Sequence, residues 1–289
     1  MTADLISLVL TGDSHVIGFP EQRVRVDLSN GQPLQPLEMK PVHLGGAWAA
    51  LDMVVTFPDG RLGLNPKLET ALEHWPGMGA RGKTPEGGTI ARHAVLSLGL
   101  GVYHYDPGIE FADRDADRVL FRGDVDFLLP RHPELPADPA LTLLPVDLVQ
   151  DMYEAVLAPM RQALRLIVAS NPQRTWVMAA PPPTGDPAIL QRLIRNRAKR
   201  HGLDPDAIKV PSPLVLLKVW LLLREIVTRI CAETACGFID CADFAAGADG
   251  CLKPEYVNDG IHGNGAFRER MTVAMLETVV MAENTLDPI

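Results

Sequence analysis

The sequence predicts one α/β domain built on a mainly parallel five-stranded sheet. Short apolar runs of strand length alternate with longer segments whose apolar residues recur at helical spacing, which is the pattern of a parallel sheet joined by crossover helices. The 289 residues, 47% of them apolar and 22% charged, suffice for one substantial core. No internal repeat or low-complexity tract points to a solenoid or an array.

The first strand is Leu5–Leu10, an apolar run that breaks at once into Thr11-Gly12-Asp13-Ser14-His15. Leu37–His43, Val119–Phe121, Thr175–Ala179 and Gly237–Asp240 are the other candidate strands. After Pro145, the residues Val146, Val149, Met152, Val156, Leu157, Met160, Leu164 and Ile167 mark one helix, and a second runs from Pro213 to Thr234. The closing helix follows Gly263-Asn264, where Asn264 can cap, and presents Phe267, Met271, Met275 and Val279 on one face. Residues 58–117 form a Gly- and Pro-rich insertion with one helix, Pro66–Trp75, and either cover a site or serve as a variable surface region.

A net charge of −9 argues against sequence-independent attraction to nucleic acid, which depends on clustered Lys and Arg. Met1-Thr2-Ala3-Asp4 is not the basic start of a secretory leader, so a cytoplasmic protein is expected. The most apolar stretch, Leu214–Leu223, is interrupted by Lys218 and closed by Arg224-Glu225. It falls short of the roughly 20 residues of a membrane span and reads as a buried helix. Cys231, Cys236, Cys241 and Cys251 match no paired CxxC zinc pattern; they read as small core residues, with a disulfide between two of them as the alternative. Neither a metal nor a cofactor is expected.

Two fragments carry the chemistry. Ser14 stands just past the carboxyl end of the first strand, where open α/β sheets place their reactive groups. Asp259, three residues before His262, can hold an imidazole in the tautomer that takes a proton from a serine. Singly, Ser14 reads as a turn hydroxyl and His262 as a helix-start residue. Their order, Ser, then Asp, then His at opposite ends of the chain, favours a nucleophile, an orienting carboxylate and a base.

Gly12-Asp13-Ser14 after the first strand, with Asp259-x-x-His262 before the last helix, resembles the first and last sequence blocks of the SGNH/GDSL hydrolase family. The resemblance implies a flavodoxin-like three-layer α/β/α fold and ester hydrolysis through an acyl-enzyme, with Ser14 as nucleophile, His262 as base and then acid, and Asp259 as the orienting group. It implies a small acyl ester as substrate, with O-acetylated carbohydrate among the classes. His43-Leu44-Gly45-Gly46-Ala47-Trp48 resembles the second block, making Gly45 or Gly46 a backbone oxyanion donor, with Gly45 preferred. The third block, normally Gly-x-Asn-Asp, is replaced by Arg122-Gly123-Asp124-Val125-Asp126.

The missing asparagine has mechanistic weight, since one oxyanion donor is worth about 2.7–4 kcal/mol. Arg122, His104 and His43 are candidate substitutes. Asp126 is either a binder of substrate hydroxyls or the partner of Arg131 or His132. His15 is read as lining the pocket or meeting solvent, and Tyr103, His104 and Tyr105 as an aromatic wall or a partly buried edge strand. An acyltransferase, or a carbohydrate binder without hydrolysis, is the alternative that this departure motivates.

A third reading comes from Gly77-Met78-Gly79-Ala80-Arg81-Gly82-Lys83-Thr84, which fits the Walker A expression. A phosphate loop requires a helix beginning at the Lys-Thr. Pro85-Glu86-Gly87-Gly88 cannot carry a stable first turn there, so the stretch reads as a loop.

Overall fold

The computed structural model describes residues 5–12, 14–19, 22–26, 35–43, 53–73, 82–83, 89–97, 123–170, 174–200, 204–206, 209–260 and 262–285. Five strands run parallel: β1 (Leu5–Gly12), β3 (Gln35–His43), β7 (Thr89–Ser97), β10 (Thr175–Met178) and β11 (Gly237–Ile239). Their spatial order is β3-β1-β7-β10-β11, the 2-1-3-4-5 arrangement of flavodoxin-like folds. β2 (Gln22–Val26) lies antiparallel against β3, and the two-residue β6 (Gly82–Lys83) antiparallel against the start of β7. Helices cover both faces, which makes a three-layer α/β/α fold.

β1 lies at the centre of this sheet, and its sequence shows it. Leu8, Val9 and Leu10 are consecutive and all buried, as required where both faces carry helices and no polar alternation is possible. The helices are α1 (Pro66–Glu73), α2 (Val146–Ser170), α3 (Pro187–Arg200), α4 (Pro213–Thr234), the short α5 (Ala242–Ala245) and α6 (Gly265–Thr285). Ser212 caps α4 by accepting the Val215 N–H at 3.2 Å, and Pro213 opens its first turn. Asn264 caps α6 through the Phe267 N–H at 3.2 Å.

The third parallel strand differs from the sequence reading. Val119–Phe121 lies outside the described residues, and the strand between β1 and β10 is Thr89–Ser97, within the stretch expected to be an insertion. Arg92 and His93 break its apolar run, which hides it from a hydropathy reading. Of the Walker-like stretch, Gly77–Arg81 and Thr84 lie outside the described residues, and Gly82 and Lys83 are in strand β6. A strand at the lysine is the opposite of the helix start that a phosphate loop needs.

His93 is buried because distant residues satisfy both ring nitrogens. The Trp176 indole N–H donates to Nδ1 at 3.0 Å, so Nδ1 carries no proton, and Nε2–H donates to Glu283 at 2.9 Å. Arg174 completes the cluster with bonds of 2.7 and 3.2 Å to the same carboxylate. The far end of α6 is thereby tied to the amino end of β10.

Burial holds the His93 pKa below its usual 6.5, against the opposing pull of Glu283. The unfolded chain therefore takes up a proton at a pH where the folded chain does not. His93 contributes stability that is full above pH 6.5 and is lost as the pH falls through its folded value. Glu283, held low by His93 and Arg174 despite its burial, gives way only below its usual 4.5. Between those two values the melting temperature of the parent is expected to fall more steeply than that of His93→Gln, whose amide spans the same two partners without titrating. Equal slopes in thermal melts would contradict this account.

Two further pairs of strands stand beside the main sheet: β4 (Val54–Thr56) with β5 (Leu62–Leu64), antiparallel, and β8 (Val125–Phe127) with β9 (Thr142–Leu144), parallel. β8 is tied to α4 by a buried ion pair. Lys218 Nζ lies 2.6 Å from Asp126 Oδ1, with neither side chain exposed. Among the described residues, no helix is long and apolar enough to cross a membrane.

Candidate active site

β1, β3 and β7 finish level with one another: Gly12 pairs with His43 on one side and Ser97 on the other. The edge between β1 and β7 is the topological switch point of this strand order, where ligands bind beyond the carboxyl ends. Only glycine fits at position 12. Its φ is +144°, and a Cβ there would stand 2.0 Å from the Ser97 carbonyl oxygen. The Thr11 hydroxyl donates to Val42 O at 2.9 Å and fastens β1 to β3 at the same edge.

The chain then turns in a single 3-10 turn, Ser14–Val16, in which the Ile17 N–H donates to Ser14 O at 3.1 Å. Val16 and Phe19 are buried and anchor the turn, while Ser14 stays half-buried. Gly18 faces the Arg268 guanidinium in the first turns of α6, closely enough that a Cβ would lie 3.0 Å from its central carbon. Arg268 in turn donates to Gly263 O at 3.0 Å. This contact joins the segment after β1 to the loop before α6.

That loop is a tight hairpin. Val257 bridges Gly263, the Asn258 N–H donates to His262 O at 3.2 Å, and the Asn264 N–H donates to Tyr256 O at 2.8 Å. Gly260, at φ +95°, turns its tip against Ile189, where a Cβ would come within 2.9 Å of the side chain. Behind the hairpin Phe244, Tyr256 and Phe267 meet with ring centroids 5.7–6.2 Å apart, the spacing of favourable aromatic pairs. The histidine is thus carried on a stiff support.

The result is a hydrogen-bonded relay. Ser14 Oγ lies 2.9 Å from His262 Nε2, and His262 Nδ1 lies 2.8 Å from Asp259 Oδ2. Asp259 Oδ1 accepts the His262 backbone N–H at 2.8 Å, so both carboxylate oxygens are engaged. An ionised carboxylate only accepts, which places the ring proton on Nδ1 and leaves Nε2 to accept from the serine hydroxyl. His15 is buried, with its ring centroid 5.1 Å from that of His262 and tilted 50° to it. It lies against the histidine rather than in solvent.

The other expected site residues fall differently. Gly45, Gly46, Arg122, Asp13, Tyr103, His104 and Tyr105 lie outside the described residues. His43 is exposed at the carboxyl edge beside Gly12. Gly123 gives its N–H to Lys209 O at 3.2 Å and packs so closely on that backbone that a Cβ would lie 2.5 Å from it. Its N–H is therefore engaged within the fold and not offered as an oxyanion donor. Asp124 is half-buried, its carboxylate 4.0 Å from Lys209 Nζ and its carbonyl accepting the Thr142 N–H.

Asp126 is corrected both as a binder of substrate and as the partner of Arg131 or His132. Its Oδ1 accepts from Lys218 Nζ and from the Phe127 N–H at 2.7 Å, and its Oδ2 accepts from the Asp138 N–H at 2.8 Å. Arg131 and His132 pair instead with Glu225 and Glu134. Asp126 is a buried structural carboxylate.

Sequence reasoning missed Arg268, the aromatic support and the His93 anchor of α6. The signal for the first was available: a basic residue one turn into a helix that begins beside a candidate base. Among the described residues, no group of three or more His, Cys, Asp and Glu is arranged to hold a metal ion.

No protein-family model matches the chain, and no curated protein matches it. Among solved structures it is similar to a protein from Streptococcus pneumonia provisionally described as a platelet activating factor, with a TM-score of 0.48 and 11% identity, over 94% of this chain and 83% of that one. It is also similar to phospholipase A1 from Streptomyces albidoflavus NA297, with a TM-score of 0.40 and 12% identity, over 96% and 99% of the two chains.

Proposed function

We propose that this chain is a serine-dependent carboxylic ester hydrolase that acts through an acyl-enzyme on Ser14. The observation that carries the reading is the relay at the switch-point edge: hydroxyl to imidazole at 2.9 Å, imidazole to carboxylate at 2.8 Å. Hydrogen-bond reach from nucleophile to base, with a third group orienting the base, is the geometry that activates a serine.

In the first half-reaction Ser14 Oγ attacks the ester carbonyl carbon while His262 Nε2 takes its proton. The imidazolium returns that proton to the departing alcohol, leaving the acyl group on Ser14. Water then attacks the acyl carbon with His262 again as base, and the acid leaves as Ser14 recovers its proton. Asp259 stabilises the imidazolium and fixes its tautomer throughout. The oxyanion donor is proposed to be the backbone N–H of Gly45 or Gly46, two and three residues beyond the strand that ends level with Gly12. Small acyl esters, O-acetylated sugars among them, are the substrates to assay first.

A serine-directed fluorophosphonate followed by peptide mapping tests the reading without a guess at substrate. Labelling is expected at Ser14, and its rate is expected to fall at least about 100-fold in His262→Ala, which lacks the base. Absence of labelling at Ser14, or labelling indifferent to His262→Ala, overturns it. Where label is taken up, product analysis with an added sugar acceptor separates hydrolysis from acyl transfer.

A further inference from the structure

Cys231 and Cys236 are set against each other by the way α4 ends. Ala235 takes a left-handed conformation, φ 56°, with its N–H turned back to Ala232 O, and the Cys236 N–H reaches Cys231 O at 3.0 Å. This pairing of a six-to-one with a five-to-two bond brings the side chains at its two ends together, usually as an apolar contact. Here the residues at the two ends are both cysteines, their backbones joined by that 3.0 Å bond. The Thr234 hydroxyl lies 3.3 Å from Cys236 Sγ. Cys231 is buried and Cys236 half-buried, at the entry to β11.

We propose that Cys231 and Cys236 form an oxidisable dithiol: a hydroperoxide converts Cys236 to a sulfenic acid, and Cys231 resolves it to a disulfide. The Cys236 thiolate attacks the terminal peroxide oxygen, the O–O bond breaks, and the alcohol, or water from hydrogen peroxide, leaves with a proton. Cys231 Sγ then displaces the hydroxyl from the sulfenic sulfur, and its own proton departs with that oxygen as water. Two thiols lose two electrons and the hydroperoxide gains them. A disulfide needs Cα atoms roughly 4.4–6.8 Å apart, and the Cys236 N–H to Cys231 O bond of 3.0 Å holds the two backbones side by side.

The four cysteines are not equivalent in this chemistry. The Cys231 thiol and the Thr234 hydroxyl hold Cys236 below its usual range against its partial burial, while the contact with Cys236 and burial push Cys231 well up. Burial pushes Cys241 up, beside the Asp240 carboxylate. Burial, with Asp249 nearby, pushes Cys251 up to about 11. Access and thiolate character govern reaction with peroxide, so Cys236, half-buried and 3.3 Å from the Thr234 hydroxyl, is the expected point of attack and the buried Cys231 the resolving thiol. The new bond would staple the end of α4 to the entry of an edge strand, far in sequence from Ser14 and independent of what that serine does.

The test exposes the purified chain to hydrogen peroxide, blocks free thiols with N-ethylmaleimide, and maps unreduced peptides. Cleavage after Glu233, Phe238 and Phe244 places the four cysteines in separate fragments. The expected product is a fragment pair joined through Cys231 and Cys236, formed at least about tenfold faster than any oxidation of Cys241 or Cys251. In Cys231→Ala, Cys236 is expected to stop at the sulfenic acid and be captured by dimedone. The proposal is overturned if Cys231 and Cys236 are both recovered with maleimide after peroxide has oxidised Cys241 or Cys251. A link between any other two cysteines, or no dimedone adduct at Cys236 in Cys231→Ala, overturns it equally.

Discussion

Replacing Ser14 with alanine is expected to lower kcat on any ester the parent cleaves about a millionfold, and His262→Ala to do nearly the same. The double substitution should lose little more, because a nucleophile and its base act as a unit and removing either abolishes the shared step. Steady-state kinetics of the three variants check this. Single losses that multiply in the double variant would mean that the two residues contribute separately.

Asp259→Asn is the sharper member of this set. Asp259 Oδ1 already accepts the His262 backbone N–H at 2.8 Å while Oδ2 faces Nδ1 at 2.8 Å. An amide at this position must keep its oxygen on the backbone donor, which turns its NH2 toward Nδ1. Nδ1 then becomes the acceptor and Nε2 carries the proton, so the ring donates to Ser14 instead of accepting from it. A loss of about ten-thousandfold in kcat, with KM little changed, is the expected signature of the wrong tautomer. Asp259→Ala leaves the ring free to choose and should retain more activity than Asp259→Asn. The reverse ranking would argue against the tautomer account.

The sequence was most legible where local rules act alone. The run Leu5–Leu10 lies in β1, the spacing after Pro145 marks α2, and Asn264 caps α6, because burial on both faces, helical periodicity and capping each leave a mark within a few residues. Gly12 and Gly260 are legible as turns, although the backbone and side chain that compel them, Ser97 and Ile189, are 85 and 71 residues away. Polar residues buried by distant partners defeated the reading. His93 made β7 look like loop until Trp176 and Glu283, 83 and 190 residues away, satisfied its ring. Lys218 reads as an interruption in an apolar helix, and Asp126 as a binder of substrate hydroxyls or the partner of nearby Arg131 or His132, since nothing local announces that each is the other's partner across 92 residues.

That pair sets a large expected effect on stability. Lys218 Nζ has three protons and three acceptors, Asp126 Oδ1 at 2.6 Å, Pro136 O at 2.9 Å and Phe127 O at 3.0 Å. Lys218→Met has nearly the right length and keeps the helix, but it strands a buried carboxylate and two carbonyls. Breaking a buried pair from one side costs about 3–5 kcal/mol, because the remaining charge is left uncompensated. For a chain of this size that corresponds to a fall in melting temperature of roughly 6–20 °C. Asp126→Asn in the Lys218→Met background removes the stranded charge while keeping one acceptor for the Phe127 or Asp138 N–H. About half of the loss should return, a coupling of the size contacting residues show. Hydrogen exchange should locate the damage at the Phe127 and Asp138 amides, which depend on the Asp126 carboxylate. If Lys218→Met costs under about 1 kcal/mol, a surface pair's worth, water reaches Asp126 and the ion pair is not the bond that holds β8 to α4.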